Sequence, residues 1–361
     1  MSEQITVGVG AGARYLGVDR VIDLGPLHPS AHGAYRLRLT VTPDLLITAA
    51  EPLVGHLHRG AEKLFEVRDY RQVLTLANRH DWLSAFCNEL AVALAVERMT
   101  GMDVPARAQW LRALLCELNR LMAHMVFLTP LSPNAATYRE GVQALMEEAS
   151  GGRIHFMFNR IGGLREDVPA GWTSRVADFL STVDVARLPI DFERLQGLGV
   201  LPHEDALAYG VTGPIGRASG VDFDLRRDDP LPAYRTLGFT PVVRTEGDAA
   251  ARVRCLVDEV RKSAELAAAC LEQLPQGPVN VRLPKAIKAP EGSVYTRVEA
   301  PLGTSGVHLS SRGEKTPWRL KLRTPSFNNV QALSALLPGT KVDDLPAVLS
   351  SFAVIVGDID K

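Results

Sequence analysis

Residues 79–125, RHDWLSAFCNELAVALAVERMTGMDVPARAQWLRALLCELNRLMAHM, decide the fold. Trp82, Phe86, Leu90, Ala93 and Leu94 recur at helical spacing, and Gly101 supplies a C-terminal stop. Asp103 ahead of Pro105 reads as a cap and first-turn pair for a second helix. Trp110, Leu114, Leu118, Leu121, Met122 and Met125 form its apolar stripe. Two long striped helices joined by a short turn predict an antiparallel pair at the centre of the molecule.

Outward from this pair, further helices are expected over Tyr138 to Ala149, Val176 to Val183 and Ala249 to Leu274, the last stopped by Pro275. Toward the N-terminus, Tyr35 to Val41 alternates as a half-buried strand does; Pro43-Asp44 marks a turn and Leu45-Leu46-Ile47 a return strand. Toward the C-terminus, Ser293 to Glu299 and Trp318 to Arg323 alternate, Asn329 to Leu336 reads as a helix, and Ala353 to Lys361 reads as a buried strand ending on charges. The expected class is α+β: a central helical bundle with small β elements from both ends. The chain divides into a β-rich part (1–75), a helical core (76–275) and a second β-rich part (276–361) of one unit.

Composition narrows the function. The 361 residues are 46% hydrophobic and 22% charged, as in a globular protein. Lys plus Arg number 40 and Asp plus Glu 41, so a nucleic-acid partner finds no basic surplus. No apolar run reaches the roughly 18 residues a membrane span needs. The first 20 residues lack the basic and apolar regions of a signal peptide, so the protein is expected in the cytoplasm, reaching a membrane only through a partner. Cys87, Cys116, Cys255 and Cys270 form no CxxC pair and read as buried small side chains, without an iron–sulfur cluster of the chain's own.

Several motifs invite chemistry. Gly8-Val9-Gly10-Ala11-Gly12 follows a strand, but no second strand closes a βαβ unit behind it, so it makes a poor dinucleotide site. His56 and His58 stand two apart, too few for a metal centre by themselves. The segment Gly25-Pro26-Leu27-His28-Pro29-Ser30-Ala31-His32-Gly33 fixes two histidines in a non-repetitive loop. Its residues alone leave two readings open: a polar turn, or imidazoles that donate a hydrogen bond or proton to a carbonyl being reduced.

The segment Gly25 to Leu37 resembles the GPxHPxxHGxxRL motif of the D-type subunits of NADH–quinone oxidoreductase, respiratory complex I. Gly55 to Leu64 (GHLHRGAEKL) resembles that family's GLLHRGTEKL, and Arg79-His80-Asp81-Trp82 falls at its RxDY. Gly151 to His155 with Arg160 to Gly163, Val211 to Pro214 with Arg217 to Gly220, Glu299-Ala300-Pro301, Pro325-Ser326-Phe327 and Gly357 to Asp360 follow in the family's order. The likeness spans essentially the whole chain. It implies a fold like the nickel–iron hydrogenase large subunit without that relative's CxxC metal ligands. It also implies partners: a small iron–sulfur (B-type) subunit, a C-type subunit and a quinone-channel membrane subunit, at the cytoplasmic face of the cell membrane. NAD(H), FMN and the clusters would sit on partners, with quinone as the substrate. Residue by residue, His32 matches the histidine that bonds a quinone carbonyl and His28 the other loop histidine. Arg59, Arg79 and His155 match groups beside the partner's cluster, and Asp81, expected to pair with arginine, belongs to the same pocket segment. At 82 this chain has Trp where the family has its quinone-site Tyr, and Asn134 falls, without gaps, where the family has an aspartate supporting the loop histidine. Indole can stack on a quinone but is not acidic near neutral pH. Two readings follow: a subunit that still reduces quinone as part of a proton-translocating complex, or a degenerate paralogue that scaffolds the iron–sulfur subunit without turnover.

Overall fold

The computed structural model describes residues 2–24, 28 and 33–361. At the N-terminal end, β1 (Glu3–Gly10), β2 (Arg20–Ile22), β3 (Ala34–Val41) and β4 (Ile47–Leu53) make a sheet in the order β2-β1-β3-β4. β3 runs antiparallel to β1 and to β4, and its alternation puts Tyr35, Leu37, Leu39 and Val41 inside. The return strand starts later than expected because Leu45 takes a positive φ of 61° in the turn. The glycine-rich end of β1 leads only into the four-residue helical turn Ala13–Leu16.

Two short helices, α1 (Ala61–Phe65) and α2 (Tyr70–Ala77), lead into the central pair, α3 (Ala85–Thr100) and α4 (Ala106–Leu128). α3 ends where the sequence places its stop: Gly101 is left-handed at φ 62°, and the Met102 N–H donates back to the Glu97 carbonyl at 2.9 Å. Pro105, not Asp103, occupies the cap position of α4, and Asp103 stays exposed. The pair is antiparallel. Arg112 near the start of α4 grips Glu97 near the end of α3 (2.7 and 3.0 Å), while Asn119 bonds the Leu83 carbonyl and the Phe86 N–H before and at the start of α3.

α5 (Ala135–Ser150) packs on α4, and after the two-residue strands β5 (Asn159–Arg160) and β6 (Gly163–Leu164) comes α6 (Trp172–Thr182). Short helices α7 (His203–Ala208), α8 (Gly213–Ala218), α9 (Leu225–Asp228) and α10 (Pro232–Leu237) lead to α11 (Ala249–Glu272), capped by Asp248 on the Ala251 N–H at 2.7 Å and laid along α4. β7 (Gly292–Ala300), β8 (Gly303–Ser311) and β9 (Arg319–Arg323) form an antiparallel sheet against α3. β8, GTSGVHLSS, has no alternation of large apolar residues, yet it is the buried central strand. The helices α12 (Pro325–Gln331), α13 (Leu333–Leu336), α14 (Leu345–Ser350) and α15 (Val356–Ile359) finish the chain.

The α+β expectation holds. The expected terminal strand does not. Asp358 and Ile359 both donate to the Ile355 carbonyl at 3.0 Å, closing a helical turn instead. A short apolar run has the same composition in a buried strand and a buried turn, so its sequence cannot separate them. Two apolar clusters result. One joins α3, α4, α5 and α11 to the β7–β9 sheet through residues such as Phe86, Leu114, Val253 and Leu320. The other buries the N-terminal sheet under the C-terminal helices, with Val7, Leu37 and Leu39 against Val330, Leu333 and Val348. The last residues are thereby brought back onto the first third of the chain. No helix among the described residues is long and apolar enough to cross a membrane.

Candidate functional site

A cleft of about 520 Å³ opens where the start of α3 meets α4, α5 and two loops. Arg59, Arg79, Trp82 and His155 line it together, although they lie in three separate stretches of sequence. Leu83, Met122 and Val126 give it an apolar wall, and Arg139 and Gln143 enter from α5.

Each side chain has an identifiable support. The loop before Arg59 is clamped by the penultimate residue. Asp360 accepts the Gly55 and Leu57 N–H groups, one per carboxylate oxygen, both at 2.7 Å, and its carbonyl meets His58 Nδ1 at 3.1 Å. Arg59 then donates from Nη2 to the Arg79 carbonyl at 2.9 Å. Below Arg79 and His155 sits Glu89 of α3, fully buried. One of its oxygens accepts Asn78 Nδ2 (2.8 Å) and the Met157 N–H (2.7 Å); the other accepts the Phe158 and Asn159 N–H groups (both 3.1 Å). This carboxylate holds Met157 in an unusual positive-φ conformation of 51° and ties the 155–159 loop to the segment carrying Arg79.

His155 Nδ1 lies 3.1 Å from the Asn78 carbonyl, which accepts its proton. In the neutral ring that leaves Nε2 as the acceptor. Burial, then the Arg79 charge, hold the imidazole below its ordinary pKa against the pull of that carbonyl, so the ring is neutral at pH 7. Arg59 and Arg79 make no ion pair with a carboxylate among the described residues, and Arg139 reaches Glu140 only at 3.7 Å. Three guanidinium groups around an apolar wall and an indole face suit an aromatic electron acceptor, or a redox centre that becomes more negative on reduction.

The other expected site residues are placed differently. Asp81 is buried behind Trp82 and finds no arginine partner among the described residues; its Oδ1 accepts the Leu83 and Ser84 N–H groups at 3.0 and 3.1 Å. Unbonded amides at a helix start take the place of the guanidinium expected from the sequence. His28 is fully buried, edge-on to Phe127 with ring centroids 6.0 Å apart. Burial, opposed by the backbone of Ser350, takes its pKa down to about 4, so it is neutral. His32 lies outside the described residues. Asn134 is exposed on α5's first turn and donates to the Arg187 carbonyl at 2.8 Å, away from the cleft.

Arg139 and Gln143 give no signal in the sequence. Their i, i+4 spacing puts them on one helix face, but a polar helix face reads as solvated until something packs beside it. Exposed Ile154, at 45%, sits on the same rim. A second cleft, of about 320 Å³, holds two ion pairs, Arg112 with Glu97 and Arg297 with Asp229, while its Arg98 and Asp103 make no ion pair among the described residues.

Residues 128–289 and 281–361 match the model of the family described as respiratory-chain NADH dehydrogenase, 49 kDa subunit. The second D-type NADH-quinone oxidoreductase subunit of Salinispora arenicola is 55% identical over 99% of this chain and 98% of its own length. The D-type NADH-quinone oxidoreductase subunit of Geobacillus thermodenitrificans is 38% identical over 95% and 98%. Among solved structures, a chain of the membrane-bound sulfane sulfur reductase, an archaeal respiratory membrane complex, superposes with a TM-score of 0.83 at 32% identity, covering 91% of this chain and 94% of that one. The chain belongs to the family of respiratory NADH dehydrogenase 49 kDa, or D-type, subunits.

Proposed function

We propose that this chain supplies one wall of the quinone-reduction site of its complex, the other wall coming from a small iron–sulfur subunit that covers the cleft. The observation that carries this reading is the convergence of Arg59, Arg79, Trp82 and His155 on one cavity. Arginines beside a partner's cluster favour its reduced, more negative state and raise its potential. The indole of Trp82 offers a stacking face for the quinone ring. Held by its partners, including a C-type subunit and a quinone-channel membrane subunit, the chain is peripheral at the cytoplasmic side of the cell membrane. It takes electrons that began on NADH and passed FMN and clusters elsewhere in the complex.

The test is inhibitor-sensitive quinone reduction by the assembled complex. His32→Ala is expected to lower the rate by ~100-fold, as loss of one hydrogen-bond donor to a developing oxyanion does, and Trp82→Tyr to raise it. Arg59→Gln is expected to lower the potential of the adjacent cluster. If none of the three moves rate or potential, quinone chemistry does not occur here. Trp82 favours one alternative, since it lacks the family's phenol: a scaffold that holds the iron–sulfur subunit without turnover.

A further inference from the structure

Behind the cleft lies a group of ionisable side chains that the site above does not use. His80, Asp81 and Asp358 are each at most 2% exposed. They come from the turn before α3 and from α15, about three-quarters of the chain apart. Gly357 permits the approach: a Cβ there would stand 2.4 Å from the His80 carbonyl oxygen and 2.5 Å from Cζ3 of Trp82. The indole that lines the cleft therefore rests on the backbone that carries Asp358.

Asp358 Oδ2 accepts the Ser326 N–H at 2.8 Å, and Asp358 Oδ1 stands 3.5 Å from His80 Nε2. Asp358 Oδ1 and Asp81 Oδ2 make no hydrogen bond among the described residues. Two carboxyl groups with one unserved oxygen each, out of water and within reach of each other's field, do not both ionise readily. Burial drives both upward from the ordinary carboxylate range, and for Asp358 the charge of Asp81 adds to it. His80 does not neutralise them: burial, then the Lys361 charge, keep its ring neutral, against the backbone of Ala77. The positive groups facing this cluster are Lys361, Arg59 and Arg323. They are placed to stabilise the pair once its proton has left.

We propose that the Asp81 and Asp358 pair carries one proton, on one carboxyl or the other, and that this proton is delivered when a quinone in the cleft is reduced. The inference rests on the quinone reading above. Quinone takes two electrons, from the partner's iron–sulfur cluster, and two protons. One carboxyl O–H of the pair breaks as one quinol O–H forms, leaving both carboxylates ionised; the second proton comes from solvent, and the pair then recovers its own from solvent. Trp82 has no proton to give near neutral pH. Neutral His80 beside Asp358 is the group available to relay, gaining a proton on one ring nitrogen as it releases one from the other. Asp81 and Asp358 touch no substrate and act as proton-holding residues.

The test is infrared difference spectroscopy of the assembled complex, quinone-reduced minus oxidised, over a pH series. The wild type is expected to lose a carboxylic-acid C=O band on reduction, and that band is expected to titrate near neutrality. Asp358→Asn is expected to lack the band, and its quinone-reduction rate is expected to fall ~10-fold at mildly alkaline pH with the alkaline limb moved to lower pH. A wild type without the band, or Asp358→Asn with native band and pH profile, overturns the pair's single proton. Should the variant fail to assemble, the wild-type titration decides alone: a band that disappears in the ordinary carboxyl range refutes it. A near-neutral band in a complex that cannot reduce quinone sinks the quinone reading instead, and with it the proton's destination.

Discussion

Replacing Glu89 puts the largest strain on the structure that supports the cleft. Its carboxylate is fully buried and accepts four N–H groups: those of Met157, Phe158 and Asn159 and the Asn78 amide. Burial pushes its pKa up to about 7 against the pull of those four donors. Glu89→Ala orphans all four donors, and each buried orphan costs about 1–3 kcal/mol. With some water entering the space, a total loss of about 4 kcal/mol is expected, a large share of the roughly 5–15 kcal/mol that keeps an ordinary domain folded. Glu89→Gln keeps one oxygen, but its amide NH₂ faces the donors the other oxygen served, so about 2 kcal/mol is expected. The assay is urea unfolding of the purified chain at neutral pH, read at fixed m-value. In the same variants Arg79 and His155 lose their fixed spacing, which is expected to weaken docking of the iron–sulfur subunit proposed above. A Glu89→Gln midpoint within error of the wild type would refute the reasoning, since it would mean those amides are served equally well by something else.

Gly357→Ala forces a methyl group against the His80 carbonyl and Trp82, at 2.4 and 2.5 Å. Overpacking of this kind costs about 1–3 kcal/mol, and a tryptophan emission shift should report the displaced indole; an unchanged spectrum and melting point would show the contact to be loose. Burial, and for Asp358 also the charge of Asp81, raise both coupled carboxyls in the folded chain from the ordinary 3.8 toward neutrality. The native chain then binds more protons than the unfolded chain in that window, so this contribution to stability is full below about 4 and is lost as pH rises toward neutrality. Urea midpoints over a pH series should show the slope flattened in Asp358→Asn; equal slopes would contradict it. Arg112 holds Glu97, Asn159 and the carbonyls of Arg160 and Gly163. Arg112→Lys keeps the charge but not the planar fork, so a loss of about 2–4 kcal/mol in unfolding free energy is expected, and less than about 1 would count against that role.

Helices α3, α4, α5 and α11 and strands β3, β7 and β9 were legible in the sequence because their signals are local. An apolar stripe repeats every three or four residues, a strand alternates every two, and Gly101 and Gly151 stop helices by their own freedom to adopt positive φ. The family likeness likewise named Arg59, Arg79, Trp82 and His155 from short strings of residues. What the sequence could not supply was company. Whether Arg139 faces water or a cleft, whether Asp81 meets a guanidinium or two backbone amides, and whether 353–361 is a strand or a helical turn all depend on what packs alongside. Only the tertiary structure brings Asp360 onto the loop of Gly55 and Leu57, and Asp358 beside His80. The physical reason is that burial and field strength are set by neighbours some 300 residues away, and no local pattern encodes them.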